Sequence, residues 1–210
     1  MSPDRSPLRK APVQRRAADR VDELLDAAAA VVDEVGTELL TTTLVAERAG
    51  AGVGTVYRYF PDRLAILQGI AERNRHLLVA RLERTIATPR DDVEDELEAL
   101  FDAYVDVYRT VPAYRGVRTG ELLPTPQQAH GVVVDALVDA ALAVLGPRHG
   151  ISTGGATREA FVDSFHVVDA LVAAAFLDEA DGDPRALRLA YDVGRATVHR
   201  LVRRETAQLA

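Results

Sequence analysis

The stretch from Thr41 to Leu67, TTTLVAERAGAGVGTVYRYFPDRLAIL, most constrains what this chain can fold into. It opens with three threonines, which favour a helix N-terminus, and its first apolar run ends at Gly50, the residue type expected just past a helix C-terminus. Gly50 and Gly52 permit a sharp reversal, and a second short helix is predicted from about Val53 to Tyr59. This succession has the layout of a helix-turn-helix, a unit that reads double-stranded DNA.

Two short helices cannot bury their own apolar faces, so the unit needs a supporting helix on each side. Upstream, apolar residues recur at helical spacing until Gly36: Val21, Leu24, Leu25, Ala28, Val31, Val32 and Val35. Downstream, a long periodic run begins near Asp62. The sequence therefore predicts a three-helix domain followed by a long connecting helix.

The segment AERAGAGVGTVYRYFPDRLAIL resembles the DNA-binding domain of the tetracycline-repressor (TetR/AcrR) family over roughly residues 15 to 70. The matching positions are Thr41, Val45-Ala46, Ala49-Gly50, Gly54-Thr55, Tyr57, Tyr59-Phe60, Arg63 and Ile66-Leu67. Two positions depart, because the family often has valine and then serine or threonine where this chain has Ala51 and Gly52. Glycine is an acceptable N-cap, at roughly a few tenths of a kcal/mol relative to serine, so the helix is expected to form without one hydroxyl that could contact a phosphate.

The residues of this stretch suit the two tasks of a sequence-specific DNA-binding protein, which are to bind phosphates and to recognise base edges. Thr41, Thr43 and Arg63 stand at predicted helix N-termini and can donate to phosphates, while Val53 and Thr55 begin the recognition helix and can face thymine methyl groups. The predicted DNA-binding residues are Thr41, Thr43, Gly52, Val53, Thr55, Tyr57, Arg58, Tyr59 and Arg63. The alternatives are an aromatic plug for the tyrosines and ordinary solvated charges for the arginines; Phe60 is predicted to be core.

Composition narrows the class of protein further. With 210 residues and 48% hydrophobic content, the chain can form one large domain or two small ones. It has no cysteine, which excludes disulfides, zinc fingers and thiol-based sensing. The most apolar run, residues 132–145, contains Asp135 and Asp139 and is too short to cross a bilayer, and the N-terminus lacks the apolar region of a signal peptide. A cytoplasmic protein without membrane contact is expected.

The net charge of −7 is unusual for a nucleic-acid binder, so its distribution matters more than its total. Residues 1–20 carry six basic side chains against two acidic ones, whereas residues 64–210 carry sixteen against twenty-two. Residues 1–14 are therefore predicted to form a flexible basic arm able to follow the DNA backbone or a minor groove. The alternative is a disordered solubilising tail.

From residue 62 onward the pattern is helical throughout, with breaks at prolines and glycines. Six further helices are predicted, over residues 62–87, 91–109, 112–121, 127–145, 156–179 and 184–206, with Asp183 capping the last and Pro184 at its first position. The expected fold is all-α, with about nine helices. A helix-turn-helix DNA-binding domain spans residues 15–61, and a ligand-binding and dimerisation domain spans residues 62–210, with the connecting helix starting at 62.

The last two predicted helices carry wide apolar faces that suit self-association in a four-helix bundle. The predicted dimer interface comprises Val168, Leu171, Val172, Ala175, Phe176, Leu187, Ala190, Val193, Thr197 and Leu201. A symmetric dimer is also what a reader of two half-sites requires. The alternative is burial of these residues within one subunit.

Aromatic residues of the second domain gather on a few helix faces, and a cavity lined by rings with a few polar groups is a common small-molecule site. The predicted pocket residues are Phe101, Tyr104, Tyr108, Arg118, Phe161, Phe165 and His166. The alternatives are that the rings fill an ordinary core or the dimer interface, and that His166 is an ordinary helix histidine.

No enzyme is expected, because the chain has no cysteine nucleophile, no G-x-S-x-G, no phosphate-binding G-x-x-x-x-G-K and no His-x-x-x-His pair. No metal or cofactor is expected either. The resemblance implies a homodimeric transcriptional regulator, a repressor that binds an inverted-repeat operator in double-stranded DNA and is released by a small-molecule inducer, with the fourth helix as the lever. The alternative is a helical ligand-binding or partner-binding protein that has lost DNA recognition, an interpretation favoured by Ala51, Gly52 and the net charge.

Overall fold

A computed structural model describes residues 11–117 and 126–208 of the chain. All regular secondary structure in these ranges is helical, which confirms the predicted all-α class. Eight helices are described: α1 Ala11–Val35, α2 Thr42–Arg48, α3 Val53–Tyr59, α4 Arg63–Ile86, α5 Val93–Thr110, α6 Pro126–His149, α7 Gly155–Ala175 and α8 Pro184–Gln208. The chain divides into two compact units between Ile70 and Ala71, a point inside α4.

The first unit contains α1, α2, α3 and the first turns of α4. The apolar positions predicted for α1 are mostly buried, and the helix ends before Gly36, which has a φ of 81°. The core of this unit is formed by residues from all four helices and the segments that join them: Leu24, Leu25, Ala28, Val31, Val32, Leu40, Val45, Ala46, Val56, Phe60, Ile66, Leu67 and Ile70. The two short helices are therefore held by α1 and α4, as the sequence predicted, and Phe60 is core.

The turn between α2 and α3 follows the capping signals in the sequence. The Thr41 hydroxyl accepts a hydrogen bond from the Leu44 backbone N–H at 3.1 Å and so caps α2. Gly50 adopts a φ of 58°, in the region that favours glycine, and the Ala51 N–H donates to the Ala46 carbonyl at 2.8 Å. Gly52 is the N-cap of α3, without a side-chain hydrogen bond. The predicted bounds of α3 are confirmed.

The second unit is built on the antiparallel pair α7 and α8, against which α5 and α6 pack. Its buried residues form two clusters. One joins α4, α5, α7 and α8 around Tyr104, Tyr108 and Phe176. The other joins α6 to the end of α8 through Val138, Leu142 and Val198. The last helix begins as predicted, because the Asp183 side chain accepts from the Arg185 N–H at 2.9 Å and Pro184 is the first helical residue.

The structure corrects several predicted helix ends. The predicted helix over residues 112–121 is wrong for residues 112–117, which form turns, and residues 118–121 lie outside the described ranges. Ala113 has a φ of 58°, and the Arg115 Nε donates to the Tyr108 carbonyl at 2.8 Å, so the chain is fastened back onto α5 instead of continuing as a helix. Helix α6 continues through Pro147 to His149, and α7 ends four residues early, at Ala175, whose carbonyl accepts from the Asp183 N–H at 2.8 Å.

Two predictions concern regions that the structure describes only in part. Of the predicted basic arm, residues 1–10 lie outside the described ranges, and the structure places residues 11–14 in helix α1. Among the helices described, none is long and apolar enough to cross a membrane.

Candidate nucleic-acid interface and ligand cavity

Helix α3 turns one face into the core of the first unit and the other to solvent. Val56 and Phe60, four residues apart, are 0% and 7% exposed and anchor the inner face. On the outer face, Val53 is 37% exposed and Tyr57 is 54% exposed, and Arg58 beside them is exposed as well. The outer face is thus held rigidly by the inner one, with an arginine, a phenol and a branched apolar side chain available to contact a partner.

Arg58 and Tyr59 form a local pair at the end of α3. The Arg58 guanidinium lies 5.0 Å from the centroid of the Tyr59 ring, and its Nη2 is 3.4 Å from the Tyr59 hydroxyl. This cation–π contact reduces the freedom of a long side chain that remains exposed. The half-buried Tyr59 ring therefore restricts Arg58, and Thr55 is half-buried as well.

The N-termini of α2 and α4 present the predicted phosphate-binding residues in different ways. Thr43 is exposed, and Thr41 is exposed with its oxygen engaged as an acceptor, so its hydroxyl hydrogen can still be donated. Arg63 also has a structural role, because its Nη1 donates to the Glu38 carbonyl at 2.8 Å and lies 3.7 Å from the Glu38 carboxylate. Arg63 thus fastens the loop between α1 and α2, and a phosphate contact from its half-exposed guanidinium stays a prediction.

Gly54 is a further exposed residue of this face that the sequence reasoning did not assign to DNA binding. A Cβ built on Gly54 would meet nothing within 4 Å, and the same holds for Gly52. Neither has a positive φ, so packing within the described chain gives no reason for glycine at either position. Glycine in a helix reduces stability, and it allows close approach of another molecule to the backbone. The signal in the sequence was a glycine inside a helix only seven residues long.

The second unit has a cavity of about 150 Å³, partly open to solvent, among α5, α6, α7 and α8, with Leu82 of α4 in its wall. Its lining is almost entirely apolar. The lining residues are Leu82, Leu97, Leu100, Phe101, Tyr104, Leu137, Val138, Ala141, Phe161, Ser164, Phe165, Val168, Tyr191, Gly194, Arg195, Thr197 and Val198. Concave, apolar and bounded by several helices, it has the character of a small-molecule site.

The structure brings four of the seven predicted pocket residues to the cavity wall. Phe101, Tyr104, Phe161 and Phe165 line it, whereas Tyr108 and His166 do not, and Arg118 lies outside the described residues. The sequence reasoning missed the apolar residues of α6 and the small and polar residues of α8. The aromatic pattern predicted which rings cluster, but it carried no information on which aliphatic residues complete the wall.

A buried hydrogen-bonded cluster lies behind the wall formed by Tyr104. The hydroxyls of Tyr104 and Tyr108 both donate to the Asp169 Oδ1, the second at 2.9 Å, and all three side chains are buried. Burial raises the pKa of the Tyr104 hydroxyl well above its usual 10, and the neighbouring Tyr114, Tyr108 and Asp169 add to this effect. The two tyrosines of α5 thus bind the Asp169 carboxylate of α7. Tyr108 supports the cavity wall in this way without lining the cavity itself.

A second polar cluster joins α5 to α8. The Glu94 carboxylate interacts with the His199 imidazole, with the Tyr191 hydroxyl at 3.3 Å and with the Arg195 Nη1 at 3.5 Å. Desolvation raises the pKa of Tyr191, and the nearby Glu94 carboxylate raises it further. Since Tyr191 and Arg195 also line the cavity, this cluster forms part of its polar rim.

The structure places most of the predicted dimer-interface residues inside one subunit. Seven of its ten residues are already buried within one chain: Val172, Ala175, Phe176, Leu187, Ala190, Thr197 and Leu201. Val168 and Leu171 pack against the same core. These side chains face the neighbouring helices of their own subunit, because α7 and α8 use their widest apolar faces to bind each other and α5. The remaining residue, Val193 on α8, is half-buried and belongs to neither of the core clusters described.

Together, the α3 face and the cavity define a class of protein, a helix-turn-helix protein with a second, helical unit suited to binding a small molecule. The family of bacterial regulatory proteins called the tetR family matches residues 24–70. A TetR-family transcriptional regulator from Streptomyces coelicolor is 27% identical in sequence, with a TM-score of 0.71 over 87% of this chain and 99% of that one. The first unit of the chain thus matches the tetR family, and the likeness in fold extends over most of the chain.

Curated relatives match over part of this chain. The transcriptional regulator BetI from Escherichia coli O17:K52:H18 is 32% identical over 85 residues, 40% of this chain and 44% of BetI. The transcriptional repressor KstR from Mycolicibacterium smegmatis is 36% identical over 66 residues, 31% of this chain and 32% of KstR. The match thus spans less than half of each relative.

Proposed function

We propose that this protein is a ligand-responsive transcriptional repressor that binds an inverted-repeat operator as a homodimer and is released by a small-molecule inducer. The observation that carries the proposal is the exposed α3 face of Val53, Tyr57 and Arg58, held rigid by buried Val56 and Phe60. The match of residues 24–70 to the tetR family and the likeness to the regulator from Streptomyces coelicolor support the same interpretation.

The residues of α3 divide into two roles. Val53 stands in the first turn of the helix, where side chains contact base edges, and its methyl groups suit a thymine. Tyr57 and Arg58 carry exposed polar tips that reach the DNA backbone, and Arg58 can also bind a guanine edge. Thr41, Thr43, Thr55, Tyr59 and Gly52 complete the predicted interface, with Arg63 contributing chiefly by holding the α1–α2 loop.

The dimer surface that we propose is the exposed stripe next to the buried faces of α7 and α8. On α7, Val167 is 49% exposed and lies in line with exposed Ala170 and Ala174; just beyond the helix, Leu177 is 79% exposed. On α8, Leu189 is 52% exposed. A run of apolar and small side chains on two adjacent helices fits a second copy of the chain, because a two-fold operator calls for a two-fold protein.

The test of DNA recognition is selection of bound duplexes from random DNA by the purified chain at a stated, near-physiological salt concentration. An inverted repeat with half-sites one helical turn apart, about 34 to 36 Å, is expected. Arg58→Ala should weaken binding and reduce the salt slope by about one unit if it contacts a phosphate, whereas Arg188→Ala, an exposed arginine of α8, serves as the control. Failure to enrich any sequence would favour the alternative, a helical ligand-binding or partner-binding protein.

Arg63→Ala is a poor test of a phosphate contact, because it also removes the hydrogen bonds to the α1–α2 loop. The dimer is tested separately by light scattering after size-exclusion chromatography. Ala170→Glu places a charge on the proposed stripe and should yield monomers, and Ala143→Glu, at an exposed position of α6, should leave the dimer intact. Dimers that persist in Ala170→Glu would place the interface elsewhere.

A further inference from the structure

We infer that the cavity of the second unit binds one uncharged molecule built on a single aromatic ring. This rests on the ligand-responsive half of the proposed function and names its ligand class. The first argument is size, because an apolar cavity of about 150 Å³ holds one benzene-sized ring. The cavity described here has that volume.

The second argument is charge. Arg195 is the one fixed charge among the described lining residues, and its guanidinium is engaged by the Glu94 carboxylate, which also interacts with His199. A carboxylate ligand would have to compete with Glu94 for the Arg195 guanidinium, while a cation would find no carboxylate among the lining residues that the structure describes. Transferring an unpaired charge into an apolar site is strongly unfavourable, so the cavity selects a neutral molecule.

The third argument is the state of the lining hydroxyls. Tyr104 donates to Asp169, Tyr191 donates to Glu94, and Thr197 donates to the Val193 carbonyl at 3.2 Å. Ser164 on α7 supplies the remaining side-chain hydroxyl among the lining residues described. The wall can therefore satisfy one polar substituent, such as a phenol hydroxyl, but not a strongly polar ligand.

The fourth argument is the wall itself, to which five rings contribute. Phe101 and Tyr191 meet edge to face with centroids 5.5 Å apart, and Tyr104 and Phe165 do so at 5.4 Å. Phe161 adds a fifth ring. An aromatic ligand can extend this edge-to-face packing in a way that a linear alkyl chain cannot.

The experiment is calorimetric titration of the full chain, in the absence of DNA, with toluene, phenol and benzoate. Toluene and phenol should bind with a negative heat-capacity change, and benzoate should not bind. Ala141→Leu fills the cavity from α6 and should weaken toluene binding by at least about tenfold, since one methylene changes affinity in an apolar pocket by roughly 10–200-fold. Ala143→Leu makes the same change at an exposed position of α6 and should bind as the original chain does.

Phe161→Ala provides a second variant that does not depend on the folding of the first. It enlarges the cavity and should make butylbenzene bind more tightly than it binds the original chain. The inference is overturned if toluene does not bind, if benzoate binds as tightly as toluene, or if both cavity variants leave the affinities unchanged. Because these titrations contain no DNA, they can fail while operator selection succeeds, and the reverse outcome would refute DNA recognition alone.

Discussion

At the residue scale, Gly54 is the position whose chemistry is least explained by the chain itself. It is exposed on α3, no atom lies near its missing Cβ, and a glycine there lowers helix stability. Backbone exposed in this way can approach a DNA phosphate or base more closely than backbone shielded by a methyl group. Gly54 is therefore expected to serve the interface at the expense of helix stability.

The corresponding prediction is that Gly54→Ala raises the free energy of unfolding by up to about 1 kcal/mol and weakens operator binding. Urea denaturation and a DNA titration measure the two effects. Gly194→Ala is the control, because a Cβ there lies 3.5 Å from Val168, an ordinary contact, and it is on α8. It should also stabilise the protein, and because Gly194 lines the ligand cavity it serves as a control for stability alone. If Gly54→Ala binds the operator normally, the close-approach explanation is wrong.

Tyr104 gives a second prediction at this scale, concerning alkaline pH. Its pKa is raised in the folded chain, chiefly by burial, so above pH 10 an unfolded chain releases this proton while the folded chain keeps it. The unfolded state then binds fewer protons, and stability must fall as the pH rises from about 10 toward the folded pKa.

Tyr104→Phe removes the titrating group and should reduce the loss of stability between pH 8 and pH 11, measured by urea denaturation at each pH. At pH 8 the variant should be less stable by about 1 kcal/mol, because Asp169 loses one of its two tyrosine donors. A pH dependence equal to that of the original chain would show that other groups account for the alkaline loss.

At the scale of elements, the capping of α2 means that Thr41 and Thr43 contribute differently to the stability of the helix. Thr41 caps the helix through its hydroxyl, whereas Thr43 lies exposed in the first turn. Thr41→Ala should lower the free energy of unfolding by about 1 kcal/mol, and Thr43→Ala should change it by less than about 0.5 kcal/mol. Circular dichroism during urea denaturation measures both. Equal losses would mean that the cap contributes little in the folded protein.

The same capping signals explain why the first unit could be predicted so closely from the sequence. Thr41, Gly50 and Gly52 act within a few residues of where they stand, so the bounds of α3 were predicted correctly. The exposed face of α3 could be predicted as well, because a seven-residue helix with buried Val56 can turn only one face outward. Capping and turn signals were sufficient wherever the contacts that determine the structure join residues close together in the sequence.

The second unit could be predicted less well, because its determining contacts are distant along the chain. Periodicity shows that α7 and α8 have apolar faces but not which helix covers them, so core residues such as Val172 and Ala190 were assigned to the dimer interface. The turn at Ala113 depends on Arg115 reaching the Tyr108 carbonyl and on Tyr114 packing against Tyr108. The cavity wall likewise requires residues from five helices to meet.

At the scale of the whole molecule, regulation requires that ligand and operator influence each other through the folded chain. Helix α4 follows α3 directly in the sequence and continues into the second unit. It therefore connects the two units covalently, and binding of either ligand can favour one of its conformations. The coupling is a free energy shared by both binding events. It must therefore appear with equal size whichever ligand is added first.

The final prediction is that toluene weakens operator affinity by some factor and that operator DNA weakens toluene affinity by the same factor, typically about 5- to 150-fold. A DNA titration with and without saturating toluene gives the first factor, and calorimetry with and without operator gives the second. Ala141→Leu should abolish the effect of toluene on the operator while keeping operator binding itself, whereas Ala143→Leu should preserve both. If both ligands bind but do not affect each other, the chain is still a DNA-binding protein with a site for apolar rings. Release of the operator by a ligand of this class would then be refuted, because a ligand with equal affinity for the DNA-binding state and the released state cannot shift their populations.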